Sequence, residues 1–419
     1  MKNLSTDEIS WSGKGSNTSI IALIVSASAT FLLAVAKGLS AIIIPTTLQN
    51  NGTSNTLIGL IMSFETIASI LISCLLPMLL HLISMTTGFI LSTILRIPSL
   101  LLLAYSSNPF IWAFAVFLNG VGCFSFLILL QTWIVGLKFK SNRGLMVALN
   151  STALTLGLAM GPLLLKYYGN LVPQITAYIK DLLIEQPFTH EVISHGISTR
   201  FYFILIAFIS LSALLPIVTG FKLIPSVKFK GSGGIWKSIM HAKGPMFAIA
   251  MAGASFFGVS AFITLYGLKN QLTLQDSALL LTCFMMGSLL LEAPMTWVSD
   301  YIDRRYIIVI AAFLSMLCAV YLPIAIYVNY QAFVLLFIWG GVIGSIYSTS
   351  LALIGEKFRD DDLVAANAGY SLMEAAGGTL SILLIGYTMD AFGSDGLSYV
   401  IMLSSIVYFS FALTRYRVV

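Results

Sequence analysis

Five ionisable side chains interrupt segments of this chain that are otherwise apolar: Lys37, Glu65, Arg96, Glu292 and Glu374. In hydrocarbon each costs several kcal/mol, about 2.5–3.5 on insertion scales, unless it is paired or reaches water. Lys37 lies thirteen residues before Asn50 and Glu65 fifteen after it. With a turn at Asn50-Asn51-Gly52 and a rise of ~1.5 Å per residue, both fall about 20 Å below the turn on neighbouring antiparallel helices. A Lys–Glu pair follows. Two roles fit it: proton uptake by Glu65 would release Lys37 to hold an anionic group, or the pair is static and fixes helix rotation.

Arg96 falls near the middle of its apolar segment and must face neighbouring helices rather than lipid. It either supplies a cation to the next segment, beside Gln131, or bonds backbone carbonyls that Pro98 frees. Glu292 and Glu374 have no cation at helical spacing. Such carboxyl groups suit the loading and unloading of protons; an acid held neutral, or one wetted by a cavity, is the other reading.

The elements that carry these groups are helices long enough to cross a bilayer. Hydrophobic residues make up 58% of the 419 positions and charged ones 9%, which excludes a soluble globular chain. Apolar runs fall near 19–47, 56–80, 84–105, 109–134, 144–167 and 200–222, then 244–268, 276–298, 305–328, 331–355, 363–388 and 396–414. The fold expected is an all-α membrane protein: twelve transmembrane helices in two six-helix bundles, 1–222 and 244–419, joined by an exposed linker 223–243. The two halves echo each other. Val147-Ala148-Leu149-Asn150 and Val364-Ala365-Ala366-Asn367 lie 217 positions apart, as do Pro77 and Pro294.

Basic residues set the orientation. With a cytoplasmic N-terminus, the segments outside hold only Lys166, Lys180, Arg200 and Lys269, so both termini are expected inside. The net charge of +5 then needs no nucleic acid to explain it. The four cysteines fall in apolar runs and are expected to be buried, reduced thiols. In the outer segment 168–199, Ile175, Tyr178, Ile179 and Leu182 recur at helical spacing, as in an interfacial helix. Trp339, Tyr347 and Tyr266 either line a cavity or pack. The glycines Gly120, Gly122, Gly340, Gly341 and Gly344 suit close helix contact.

Three short motifs carry a resemblance. The run from Pro294 to Arg305, PMTWVSDYIDRR, resembles the loop signature of the major facilitator superfamily. Gly157-Leu158-Ala159-Met160-Gly161-Pro162 is similar to the core of its antiporter-associated motif, and Asn119-Gly120-Val121-Gly122 to the glycine part of a third. Together with Ser141-Asn142-Arg143-Gly144, their order is most similar to the bacterial YcaD-like branch. The resemblance implies alternating access around a central cavity, and a cytoplasmic latch of Asp300 and Arg304 against the other half near Arg143. An interfacial charge cluster that merely obeys topology is the plainer reading of those residues. The pattern is incomplete. Ile83, Thr87 and Gly88 occupy the latch register of the first half, Val116 replaces an arginine, and the glycine pair after Pro162 is missing.

The expected function is secondary transport of a small organic solute, coupled to protons, across a bacterial cytoplasmic membrane, with export favoured over import. The expected partners are that solute, a proton and the lipid bilayer, with no cofactor and no nucleic acid, and the protein acting as a monomer. No G-x-x-x-x-G-K-[ST] sequence occurs, so no phosphate-binding loop points to ATP. A transporter-derived receptor that binds without moving its ligand is the alternative, and an enzyme fits least.

Overall fold

The computed structural model describes residues 16–80, 82–136, 143–168, 190–224, 235–299, 301–328, 330–358 and 360–416. Twelve long helices run through them. The first six are α1 (Ser16–Asn50), α2 (Asn55–Leu79), α3 (Met85–Tyr105), α4 (Pro109–Gly136), α5 (Arg143–Tyr168) and α6 (His190–Ser212). The second six are α7 (Lys243–Lys269), α8 (Leu274–Val298), α9 (Arg304–Ala325), α10 (Gln331–Lys357), α11 (Asp360–Ala391) and α12 (Gly396–Tyr416). Among the described residues, eleven of them are long and apolar enough to cross a membrane.

Helices in this setting satisfy their own backbone and associate by close packing. In the first bundle α5 lies on α1 and α4 on both α2 and α3; in the second α11 lies on α7 and α10 on both α8 and α9. The bundles meet along α2 against α11 and α5 against α8. One apolar core continues across that seam, while a smaller one around Phe89, Phe126 and Trp133 belongs to the first bundle alone. The 217-residue repeat is visible as packing. Gly161 brings α5 onto α1, where a Cβ would meet the Leu39 nitrogen at 2.5 Å, and Gly377 brings α11 onto the Ala250 carbonyl of α7.

Several details depart from the sequence reading. The sixth helix starts at His190, ten residues before the apolar run, and breaks at Ala213 before a short helix, Leu214–Thr219. Within the segment read as an exposed linker, Ile235–His241 is helical, with Ile239 buried against Gly369 of α11. Cys74 is exposed on the bundle surface, because the apolar character of its run arises from facing outward rather than inward. The four cysteines are free. Ile175, Tyr178, Ile179 and Leu182 lie outside the described residues.

The tightest seam is between α8 and α10. A Cβ at Gly287 would run into the Phe337 carbonyl, and one at Gly340 into that of Phe284. Gly287→Ala should therefore destabilise the protein by about 1–3 kcal/mol, as overpacking does. Gly355 on α10 has open space around it. Gly355→Ala should leave stability unchanged or raised by roughly 0.5–1 kcal/mol. Thermal unfolding of both variants in detergent, followed by tryptophan fluorescence, checks the pair.

Candidate functional site

Lys37 and Glu65 meet. The ammonium Nζ lies 2.5 Å from Glu65 Oε1, and both side chains are less than a fifth exposed. The matched depth on α1 and α2 is what the hairpin dictates, and the same ammonium stands 4.6 Å from the centre of the Phe124 ring on α4. The pair faces a cleft between the bundles. Its opposite wall is apolar and comes from the second half: Phe256 and Phe257 on α7, Leu281 and Met285 on α8. Among the described residues that line it, Thr66 and Ser260 add hydroxyls. A pocket of this kind grips an apolar body by its walls and a polar group by one charged point.

Arg96 is 2% exposed. Its Nε donates to Asn119 Oδ1 of α4 at 3.1 Å. Arg96 thus faces the next helix, as expected, but with Asn119 in place of Gln131 as its partner. The guanidinium bonds a side chain rather than carbonyls near Pro98, and Gln131 lies twelve residues beyond Asn119, about 18 Å along α4, where it is exposed. Glycines bring these groups to one level. A Cβ at Gly120 would lie 3.0 Å from the Glu65 carbonyl, and a Cβ at Gly122 would lie 3.1 Å from Arg96 Cβ. Arg96 is also close enough to act electrostatically on Lys37.

The second half carries acids. Glu292 on α8 accepts hydrogen bonds from Ser348 of α10 and, at 3.5 Å, from Ser288. Its Oε2 would touch a Cβ at Gly344. The backbone of Glu374 on α11 presses against Gly253 of α7, and its side chain is half-buried. Neither acid has an ion pair among the described residues. Tyr347 stacks edge-on against Tyr370 at 5.5 Å, and the Tyr370 hydroxyl donates to the Tyr347 carbonyl at 2.6 Å. Both phenols bear electrostatically on the two carboxyl groups. Trp339 and Tyr266 are fully buried packing residues, the Trp339 Nε1 donating to Ser315.

Of the residues in the expected latch, Asp300 and the side chain of Arg143 lie outside the described residues. Arg304 forms an ion pair with Glu356 at the end of α10, at 2.8 Å and within its own half. Asp303, not singled out by sequence, caps α9 by accepting from the Arg305 nitrogen at 2.8 Å. Gly157 and Gly161 both sit against α1, and Pro162 packs near Gly38.

Sequence reading missed a clasp between the halves at the end remote from the termini. Asp390, on the last turn of α11, accepts from the nitrogen and side chain of Asn55 through Oδ1 and from those of Thr56 through Oδ2, at 2.6–3.0 Å. A carboxylate of one half thus caps the first turn of α2 in the other, where free amides and the helix dipole favour it. At the same end, Lys166 of α5 pairs with Asp276 of α8 at 2.7 Å. Asp276 is fixed by Thr273, which accepts from its nitrogen at 3.1 Å. Charged residues at helix ends were the available signal, but partners 335 and 110 positions apart have no local signature.

The model of the Major Facilitator Superfamily matches residues 26–275 and again 245–418, nearly the whole chain in two overlapping passes. The chain belongs to the Major Facilitator Superfamily. No finer branch is distinguished by that match. No curated protein matches in sequence. Among solved structures, a nucleoside transporter, NupG, aligns over 94% of this chain and 99% of its own at a TM-score of 0.72 and 12% identity. A bacterial homologue of the human lysosomal transporter Spinster, inward-facing and occupied, aligns over 97% and 98% at 0.76 and 11% identity. The E. coli fucose:proton symporter FucP aligns over 95% and 99% at 0.60 and 19% identity. At these identities the likeness is one of fold.

In this superfamily member the cleft beside Lys37 lies between the two bundles, and Asp390 ties them together at one end. Removing that carboxylate should loosen the end. Asp390→Ala should raise the reactivity of a Ser260→Cys thiol, in a cysteine-free background, toward an impermeant maleimide added from that side. Hydrogen bonds to a charged group contribute about 1.5 kcal/mol or more, so the rate should rise roughly tenfold. An unchanged labelling rate would show that the clasp does not hold the end closed.

Proposed function

We propose that this chain is a secondary active transporter of the YcaD-like branch, moving a small organic solute across a bacterial cytoplasmic membrane by alternating access. The observation that carries this reading is the Lys37–Glu65 pair, set on one wall of a cleft whose other wall belongs to the second bundle. A solute held there touches both halves, so their relative motion changes which side it faces. The bias of lysine and arginine supports cytoplasmic termini, which makes the Asp390 and Lys166–Asp276 contacts an outer gate. Asp300, Arg304 and Arg143 are the corresponding inner latch, engaged when the outer gate parts. The two bundles, 1–222 and 244–419, move about the segment 223–243, and the protein acts as a monomer.

Proton coupling is assigned to Glu374 and Glu292. Glu374 occupies the register of Gly157, so the second half has a carboxyl group where the first has bare helix contact. Export is the proposed direction, on the likeness of Gly157–Pro162 to an antiporter motif.

Purified protein in proteoliposomes with an imposed pH gradient, screened against a solute library, tests the reading. At least one solute should move faster with the gradient than without. Glu374→Gln should lower gradient-driven flux of that solute by roughly tenfold, within the usual range for coupling between sites, while solute exchange persists. Equal flux with and without the gradient would remove proton coupling, and saturable binding with no flux would make the chain a receptor.

A further inference from the structure

The guanidinium of Arg96 is only partly used. Its Nε is held by Asn119, while Nη1 and Nη2 are buried and have no hydrogen-bond partner among the described residues. Two idle donors on a buried cation are unfavourable, and the Nη1–Nη2 edge is one that takes a carboxylate in a two-pronged bond. The carboxylate at the same level is Glu65. Gly120 and Gly122 place the Glu65 backbone and the Arg96 Cβ on the same turn of α4. Glu65 is committed to Lys37 instead.

Charge completes the picture. Lys37, Arg96 and Glu65 together carry one uncompensated positive charge inside an apolar bundle. A single external anion would balance it and give two ion pairs in place of one.

We infer that Glu65 has two seats, Lys37 and Arg96, and that its transfer to Arg96 frees Lys37 for the anionic group of an organic monoanion. The apolar body of that ligand lies on Phe256, Phe257 and Met285 across the cleft. The inference rests on reading the cleft as the solute site. It adds the class of solute, and it gives Arg96 a positioning role exerted through Glu65. The transfer moves a carboxylate, not a proton, so it operates independently of Glu374.

Two measurements in detergent, without transport, test it. The first is a double-mutant cycle in thermal unfolding with Lys37→Met and Arg96→Met. Each single variant should lose little, because Glu65 keeps one cation. The double variant should lose clearly more than the two singles together, and a Glu65→Gln background should erase the excess. Additive losses would overturn the exchange.

The second measures the shift in unfolding temperature caused by butyrate, octanoate and 4-phenylbutyrate, each beside its neutral amide. At least one acid should stabilise the wild type more than its amide. That advantage should vanish in Lys37→Met, and its half-saturating concentration should rise at least tenfold in Arg96→Met. Arg96→Lys, which keeps the charge without the two-pronged edge, should show the same rise and serves if Arg96→Met is not recovered. No advantage of any acid over its amide would overturn the anion assignment, and an unchanged half-saturation would overturn the role of Arg96. Neither readout involves flux, so a failure here and a failure of the transport reading are told apart.

Discussion

An ammonium group inside an apolar helical bundle must have a counter-charge, and much of the first half is arranged around that demand. Lys37 and Glu65 meet at equal depth on α1 and α2. The Phe124 ring on α4 closes the other side of the ammonium. Once those three positions are set, Gly120 must be small enough for α2 to reach α4, and Asn119 is left facing Arg96. The polar groups are few. They fall into two pairs, Lys37–Glu65 at the cleft and Arg96–Asn119 between α3 and α4, because isolated ones would be costly in hydrocarbon.

The two halves share a packing scheme and differ in chemistry. In each, the fifth helix of the bundle lies on the first through glycines, Gly157 and Gly161 on one side and Gly377 and Gly378 on the other. Against that common frame, the first half presents cations with one acid and the second presents acids with hydroxyls. Glu374 stands where its counterpart is Gly157, and Glu292 is held by Ser348 and Ser288. A duplicated scaffold thus carries unlike polar chemistry in its two halves. That asymmetry lets different parts of a cycle be handled by different halves.

Much of this was legible in the sequence, for identifiable reasons. Twelve helices follow from apolar run length, since a backbone in hydrocarbon has few alternatives. The Lys37–Glu65 contact follows from counting residues away from a hairpin turn. Arg96 was harder. Its depth is readable, but whether it meets Asn119 or Gln131 depends on the level and rotation of α4, which hydropathy does not encode in a helix apolar on all sides. The Asp390 cap was invisible, because α2 and α11 belong to different bundles and meet only through the tertiary packing between them. The exposed Cys74 shows the same limit. In a membrane an apolar run does not reveal which of its faces looks inward.

The Asp390 cap has a bearing on how stiff the molecule can be. The amides it covers belong to the first turn of α2, next to the Asn50–Asn55 hairpin at the edge of the bundle. Amides in such a place can be hydrated as soon as the carboxylate leaves, so rupture exchanges one set of acceptors for another instead of stranding donors in hydrocarbon. A fastener with that property holds two rigid bodies in register while letting thermal motion release them. Had the same four bonds lain at the depth of Lys37, separation would have required dragging bare polar groups through oil.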